Sequence, residues 1–203
     1  MASNEWVLPT EIKSERTKFD PLSRSVSMIT EEHRMVHEGF FFYCYAAILG
    51  LANDAHKYMV IRTGDVPPHF KGIDIQASQG GVNFTLYERA ETSPQFDPLD
   101  LSPNAVPIVV NNANFLSGNV SGLRPYTMDE PPPWSPLGEH KGTLQLPVQS
   151  AAAKGSVTGD TKVPEVVMQA NRDYLIDVHN DPAATGAVDV FIQFSHYEIN
   201  WTD

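Results

Sequence analysis

The chain has 203 residues, enough for one sizeable β-domain with or without an arm, and a chain of this length buries roughly 70% of its unfolded surface without disulfide staples. It carries 14 basic and 25 acidic residues, a net charge of −11, so phosphate backbones and anionic bilayers repel it, and neither nucleic acid nor membrane is an expected partner. Cys44 is the only cysteine, which rules out an intrachain disulfide and a thiolate metal cluster; beside Phe41, Phe42, Tyr43 and Tyr45 it reads as a small buried hydrophobe.

The opening stretch MASNEWVLPTEIKSERTKFD has no apolar run of the signal-peptide kind, and no segment reaches the ~18 apolar residues of a membrane span. The expectation is a soluble protein made in a reducing cytoplasm. Residues 1–24 show neither helical nor strand period and read as an extended arm, with a free tail as the alternative. Trp6 and Phe19 stand in it as isolated apolar points; such residues are poorly solvated, so the arm is expected to lie on a surface, its own or a partner's.

From residue 25 to 203 the pattern is that of one β-domain. Ser25 to Ile29 reads as a short strand, Phe40 to Leu51 as a strand apolar on both faces, although its length alone does not exclude a helix, and Lys57 to Thr63 as a third strand. Gly72 to Ala77 and Val82 to Glu88 both alternate apolar with polar around Ser78-Gln79-Gly80-Gly81, which predicts a β-hairpin. Residues 89–104 read as loop, and Ala105 to Val110 as a strand whose Pro107 places it at an edge. Asn111 to Gly138 has almost no period; it holds the run NNANFLSGN and the proline cluster MDEPPPWSP, and a loop this long is usually functional or disordered. Gly142 to Val148 is another strand, and Ala151 to Thr161 a flexible loop. Glu165 to Met168, Tyr174 to Val178 and the alternating Ala187 to Tyr197 follow, the last two predicted to form a second hairpin across the Asn180 turn. Eight to ten strands joined by Gly/Pro loops define an all-β, antiparallel β-sandwich, jelly-roll-like, with an extended N-terminal arm.

Few residues carry readable chemistry. His33 and His37 are four apart, the spacing of zinc ligands on a helix, but the catalytic Glu of H-E-x-x-H is missing and no third ligand is indicated. They read as polar residues at the start of a strand and at a subunit contact, so no metal and no cofactor is expected. There is no G-x-S-x-G and no phosphate loop. The N-x-[ST] strings at Asn83, Asn119 and Asn200 read as chance, Asn83 within a strand. Tyr126 and Trp134, around Pro131 to Pro133, could stack on a sugar, grip a partner protein, or fold over the domain's own core.

The order of segments carries a resemblance. Ile29, His33, His37 and Gly39 spell I-x-x-x-H-x-x-x-H-x-G, and the chain closes with Asn171, Tyr174-Leu175, Asn180 and an alternating strand ending Tyr197-Glu198. Over roughly residues 23–198 this resembles tailed-bacteriophage head decoration (cement) proteins; the Pro-rich insert near Trp134 departs from their pattern. The resemblance implies a β-sandwich subunit of the virion, made in the host cytoplasm, that sits as a homotrimer on the capsid exterior with the major capsid protein as its partner. It contributes no catalytic residues, so the expectation is not an enzyme. The rival expectation is a receptor- or glycan-binding jelly-roll module of a phage tail or fibre, and a third is a cupin-like metalloenzyme built on His33, His37 and a further histidine. On the arm reading, deleting residues 1–22 should leave a folded domain that assembles less well. Circular dichroism with analytical ultracentrifugation checks this, and an unfolded product would place the arm in the core.

Overall fold

The computed structural model describes residues 16–20, 25–29, 31–78, 81–89, 101, 103–134, 137–146, 157–161, 166–184 and 186–199. The elements in chain order are β1 (Arg16–Asp20), β2 (Ser25–Ile29), α1 (Glu31–Glu38), β3 (Phe41–Leu51), β4 (His56–Arg62), β5 (Pro68–Ala77) and β6 (Val82–Arg89). They continue with β7 (Val106–Pro107), β8 (Val110–Asn112), β9 (Arg124–Met128), β10 (Glu139–Leu146), β11 (Val157–Thr161), β12 (Val166–Val167), β13 (Asp173–Asn180) and β14 (Val188–Glu198). Every pairing is antiparallel.

Two sheets form the sandwich. The first runs β10-β6-β13-β4-β9-β7, and the second β11-β5-β14-β3-β8 with β12 also on β5. Successive main strands alternate between them, except β6 and β10, which pair within the first: β3, β5, β11 and β14 lie in the second, β4, β6, β10 and β13 in the first. This is the strand order of a jelly roll, two Greek keys rolled together. The segment between β6 and β10 is an insertion that widens both sheets, adding β8 beside β3 and β9 with β7 beside β4. β1 and β2 make a separate two-stranded sheet.

The alternation of sheets corrects both expected hairpins. β5 and β6 do not pair with each other; β5 pairs β14 and β6 pairs β13. Likewise β13 and β14 lie in different sheets. An apolar–polar alternation fixes which face of a strand is buried, not which neighbour it bonds, and a short Gly-bearing turn can cross the ~10 Å between layers as readily as it can reverse within one. Three further differences follow from short or half-polar segments. Arg16–Asp20, placed in the arm by sequence, is a strand; Arg124–Met128 and Val157–Thr161, placed in loops, are strands too. Residues 1–15, including Trp6, lie outside the described residues, as do 90–100 and 147–156.

The core lies between the sheets. Cys44, Ala46 and Ile48 from β3, Phe70 and Ile75 from β5, and Val190, Ile192 and Phe194 from β14 meet Met59, Ile61, Phe84, Ile176 and Val178 of the first sheet. Burial pushes the Cys44 thiol up to about 12, as expected of an inert core cysteine, although a hydrogen bond from the Phe194 backbone works the other way. Asn180, at the end of β13, is fully buried and donates its amide to the carbonyls of Leu51, Ala52 and Gly186, fastening the turns at that end.

The sandwich is unequal on its two outer faces. The first sheet is covered there by a second apolar cluster, in which Leu101, Met128 and Trp134 pack on Val60 and Leu175. Among the described residues no such cluster covers the outer face of the second sheet. Phe40 to Leu51 was expected to be apolar and buried on both faces, but β3 is buried on one only, and Tyr45 and Leu49 point outward. Phe194 is fully buried at the centre of the second sheet, between Cys44 of β3 and Ile73 of β5. Phe194→Ala should cost about 3–5 kcal/mol in denaturant titration, whereas Gln193→Ala, one residue away on the outer face, should stay within about 0.5 kcal/mol.

Candidate functional site

Helix α1 leads into the second sheet. Its sequence EEHRMVHE puts acidic residues at the positive N-terminal end of the helix dipole and His37 in the last turn. Met35 is fully buried and anchors one face, while His33 and His37 lie one turn apart and exposed. The helix stops in a Schellman motif: the Gly39 N–H donates to Val36 O at 3.1 Å and the Phe40 N–H to Met35 O at 2.9 Å. Gly39 has φ +77°, and a Cβ there would sit 2.1 Å from the Ser117 hydroxyl oxygen. Glycine is therefore required twice, for the left-handed backbone and for the close approach of another segment.

That segment is residues 113–120, the asparagine-rich run. Asn114 donates its side-chain amide to His37 O at 2.9 Å, Asn119 to Glu38 O at 3.3 Å and Gly39 O at 3.2 Å, and Asn112 to Gly39 O at 2.8 Å. The last carbonyls of a helix have no partners inside it, and here the asparagines supply them. The side chains also shape their own loop: Asn112 Oδ1 accepts the Asn114 N–H, Asn114 Oδ1 the Leu116 N–H, and Ser117 Oγ the Asn119 N–H. A stretch without period is thus held by side-chain hydrogen bonds, some local and some to the end of the helix. It presents Phe115, Leu116 and Val120 to solvent, at 84%, 97% and 80% exposure. Large apolar side chains held that far out on a fixed backbone make this loop the candidate contact surface.

The far end of the loop is fixed by the last strand. Glu198 on β14 accepts hydrogen bonds from the Gly122 N–H at 2.8 Å, the Leu123 N–H at 3.3 Å and the Ser121 hydroxyl at 2.5 Å. His196 Nε2 lies 3.2 Å from both Ser121 Oγ and Glu198 Oε1, and its ring packs between Phe42 and Phe70. Burial alone would raise the Glu198 pKa; the hydrogen bonds from His196, Ser121 and Gly122 outweigh it and hold the carboxyl below its ordinary range. Serine, histidine and glutamate together invite comparison with a hydrolytic triad. In a triad one ring nitrogen serves the serine and the other the carboxylate. Here both partners share Nε2, Nδ1 is buried without a partner, and the ring is fully enclosed. The cluster is a clasp on the 121–123 turn.

Other places offer less. A cavity of about 380 Å³ between the sheets is lined by Ile73, Ile75, Phe84, Leu86, Val166 and other apolar groups. Its polar rim, Lys141 and Thr143, is already engaged by Glu88, Glu139, Thr85 and His140. Among the described residues no group of three or more His, Cys, Asp or Glu is placed to hold a metal, and no helix is long and apolar enough to cross a membrane.

The residues singled out from sequence are scattered. His33 and His37 stand beside the asparagine loop. Trp6 is outside the described residues, and Phe19 falls in β1. Tyr126 is half-buried on β9, and Trp134 folds onto its own core at 7% exposure with the Arg89 guanidinium 4.9 Å above its ring. That is the inward reading of the Pro-rich loop, and it leaves Trp134 unable to stack on a ligand. Phe115, Leu116, Val120 and Glu198 were missed. The available signal was Phe-Leu inside an otherwise polar run, next to asparagines able to cap a helix.

No family model matches the chain, and no curated protein matches it. Among solved structures, it aligns with the VP2 subviral particle of infectious bursal disease virus at 13% identity, covering 95% of this chain and 50% of that one, with a TM-score of 0.14. The structure of infectious bursal disease virus Gx strain gives 16% identity, the same coverages and a TM-score of 0.11. The chain spans about half the length of these proteins, and superpositions this poor define no common fold.

The clasp makes a signed prediction. A carboxyl whose folded pKa lies below its ordinary 4.5 contributes stability that is present above 4.5 and lost as pH falls through the lowered value. Glu198→Gln should therefore cost about 1–3 kcal/mol at pH 7, because it leaves buried donors poorly matched. The gap to the unsubstituted protein should narrow steadily in thermal unfolding below pH 4.5. A gap that stays constant into strong acid would show that the carboxylate's charge is not what holds the turn.

Proposed function

We propose that this chain is a structural protein that binds other protein surfaces, and in particular that it is a capsid decoration protein of a tailed bacteriophage. The observation that carries the reading is the 113–120 loop, which holds Phe115, Leu116 and Val120 in solvent on a backbone clamped at both ends. A loop backbone already held in place needs little further ordering when it is covered, so its apolar side chains make effective anchors for a partner. Small contacts of this kind become strong when one subunit is repeated over a lattice, since avidity multiplies them. The major capsid protein is the proposed partner, and a homotrimer on the capsid exterior is the proposed state. The net charge of −11 would favour a basic patch on the receiving surface.

The sequence resemblance supports the same end of the molecule. Its I-x-x-x-H-x-x-x-H-x-G segment contains Gly39, whose missing side chain admits Ser117 and so seats the exposed loop. The glycan-binding alternative drew on Trp134 and Tyr126; with Trp134 turned inward it has lost its main support.

Mass spectrometry and cryo-electron microscopy of purified virions provide the test. The chain should be present and ordered on the outer surface, with the 113–120 loop against capsid protein. In a rebinding assay with stripped particles, Phe115→Ser combined with Leu116→Ser should weaken attachment about tenfold or more while leaving thermal stability unchanged. Absence of the chain from purified particles would overturn the proposal.

A further inference from the structure

The Nε2 atoms of His33 and His37 approach to 2.9 Å, and their rings meet edge to face with centroids 4.5 Å apart. Two neutral imidazoles satisfy such an approach with a single hydrogen, one nitrogen donating and the other accepting. The same separation suits two ligands of one ion. With metal–nitrogen bonds of about 2.05 Å, a separation of 2.9 Å subtends about 90° at the metal. That is the angle between neighbouring corners of a square-planar or octahedral site; a tetrahedral ion would set the nitrogens about 3.3 Å apart. We propose that His33 and His37 form a bidentate site for a tetragonal divalent transition ion, Cu(II) or Ni(II), with solvent in the remaining positions.

The surroundings prepare the pair for this. Both side chains are exposed, so an ion reaches them without disturbing the core. The helix backbone beneath them is fixed by buried Met35, by the Schellman turn at Gly39 and by the Asn114 amide on His37 O. Ligands held at chelating distance on a rigid element lose little freedom on binding. The nearby Arg34 guanidinium is paired with Glu38 at 2.9 Å, which offsets its repulsion of a cation. The second histidine pair of the fold is arranged differently. His56 and His179 stack face to face at 4.1 Å, with His56 Nδ1 on Asp177 at 2.8 Å and His179 Nε2 on Asp54 at 3.2 Å. Those nitrogens are turned to separate carboxylates rather than toward a shared point.

The inference stands apart from the capsid reading, and its test uses the full chain alone. Titration with Cu(II) and with Ni(II) should give one ion per chain by calorimetry. The Cu(II) electron paramagnetic resonance spectrum should be axial, with superhyperfine splitting from two nitrogens. His33→Ala or His37→Ala each reduces the chelate to one ligand and should weaken binding roughly tenfold or more, and His33→Asn and His37→Asn, which keep a polar side chain, should show the same loss. His179→Ala should bind as the unsubstituted chain does. Undiminished affinity in either His33 or His37 variant, or a loss in His179→Ala instead, overturns the assignment.

Discussion

Helix α1 is too short to be stable alone, and the carbonyls of His37, Glu38 and Gly39 at its end have no partners within it. The structure meets that requirement with side chains from 75 or so residues later in the chain, the amides of Asn112, Asn114 and Asn119. One set of hydrogen bonds thereby orders two segments, neither of which is regular enough to order itself. The helix gains an end, the loop gains a shape, and three apolar side chains are left facing solvent because the loop's polar groups are occupied inward. Glu198 repeats the logic at the other end of the loop, where backbone amides of a turn find a carboxylate on the central strand of the second sheet.

The two faces of the sandwich also divide the work. The insertion between β6 and β10 spends its apolar residues, Trp134 among them, on covering the outer side of the first sheet. On the outer face of the second sheet Tyr45, Leu49 and Phe191 are exposed, and it is to this sheet that β8 and the asparagine loop are joined. Exposed aromatics on the sheet and exposed apolar side chains on the loop are thus both joined to the second sheet.

Most of the strands were legible in the sequence, because half-buried strands alternate and Val188, Val190, Ile192 and Phe194 do so strictly. The class of sandwich was legible from strand number. Partner choice was not: two turns flanked by alternating runs looked like hairpins, and both carry the chain across to the other sheet. β9 was missed because Pro125 and a half-polar sequence hide it, and β11 because Val157–Thr161 is made of small polar residues. In the site, His33 and His37 were recognisable by spacing, but the loop that matters beside them has no period at all. Its conformation is written in side-chain-to-backbone hydrogen bonds, which periodicity does not register.

Alternation between sheets has a consequence for how the molecule is made. Among the described strands none pairs with the next in sequence except β1 with β2, and within the sandwich only the β7–β9 edge joins strands of one short stretch, so almost no part of the described sandwich can form from local chain. β14 lies between β3 and β5, more than a hundred residues after both, and until Val188–Glu198 has left the ribosome those two strands have no common neighbour. Such non-local topology folds slowly, with apolar strand edges exposed in the interval. The growing chain must therefore be kept apart from its copies until its last strand arrives, and a protein made in bulk would depend on that separation as much as on the stability of the finished fold.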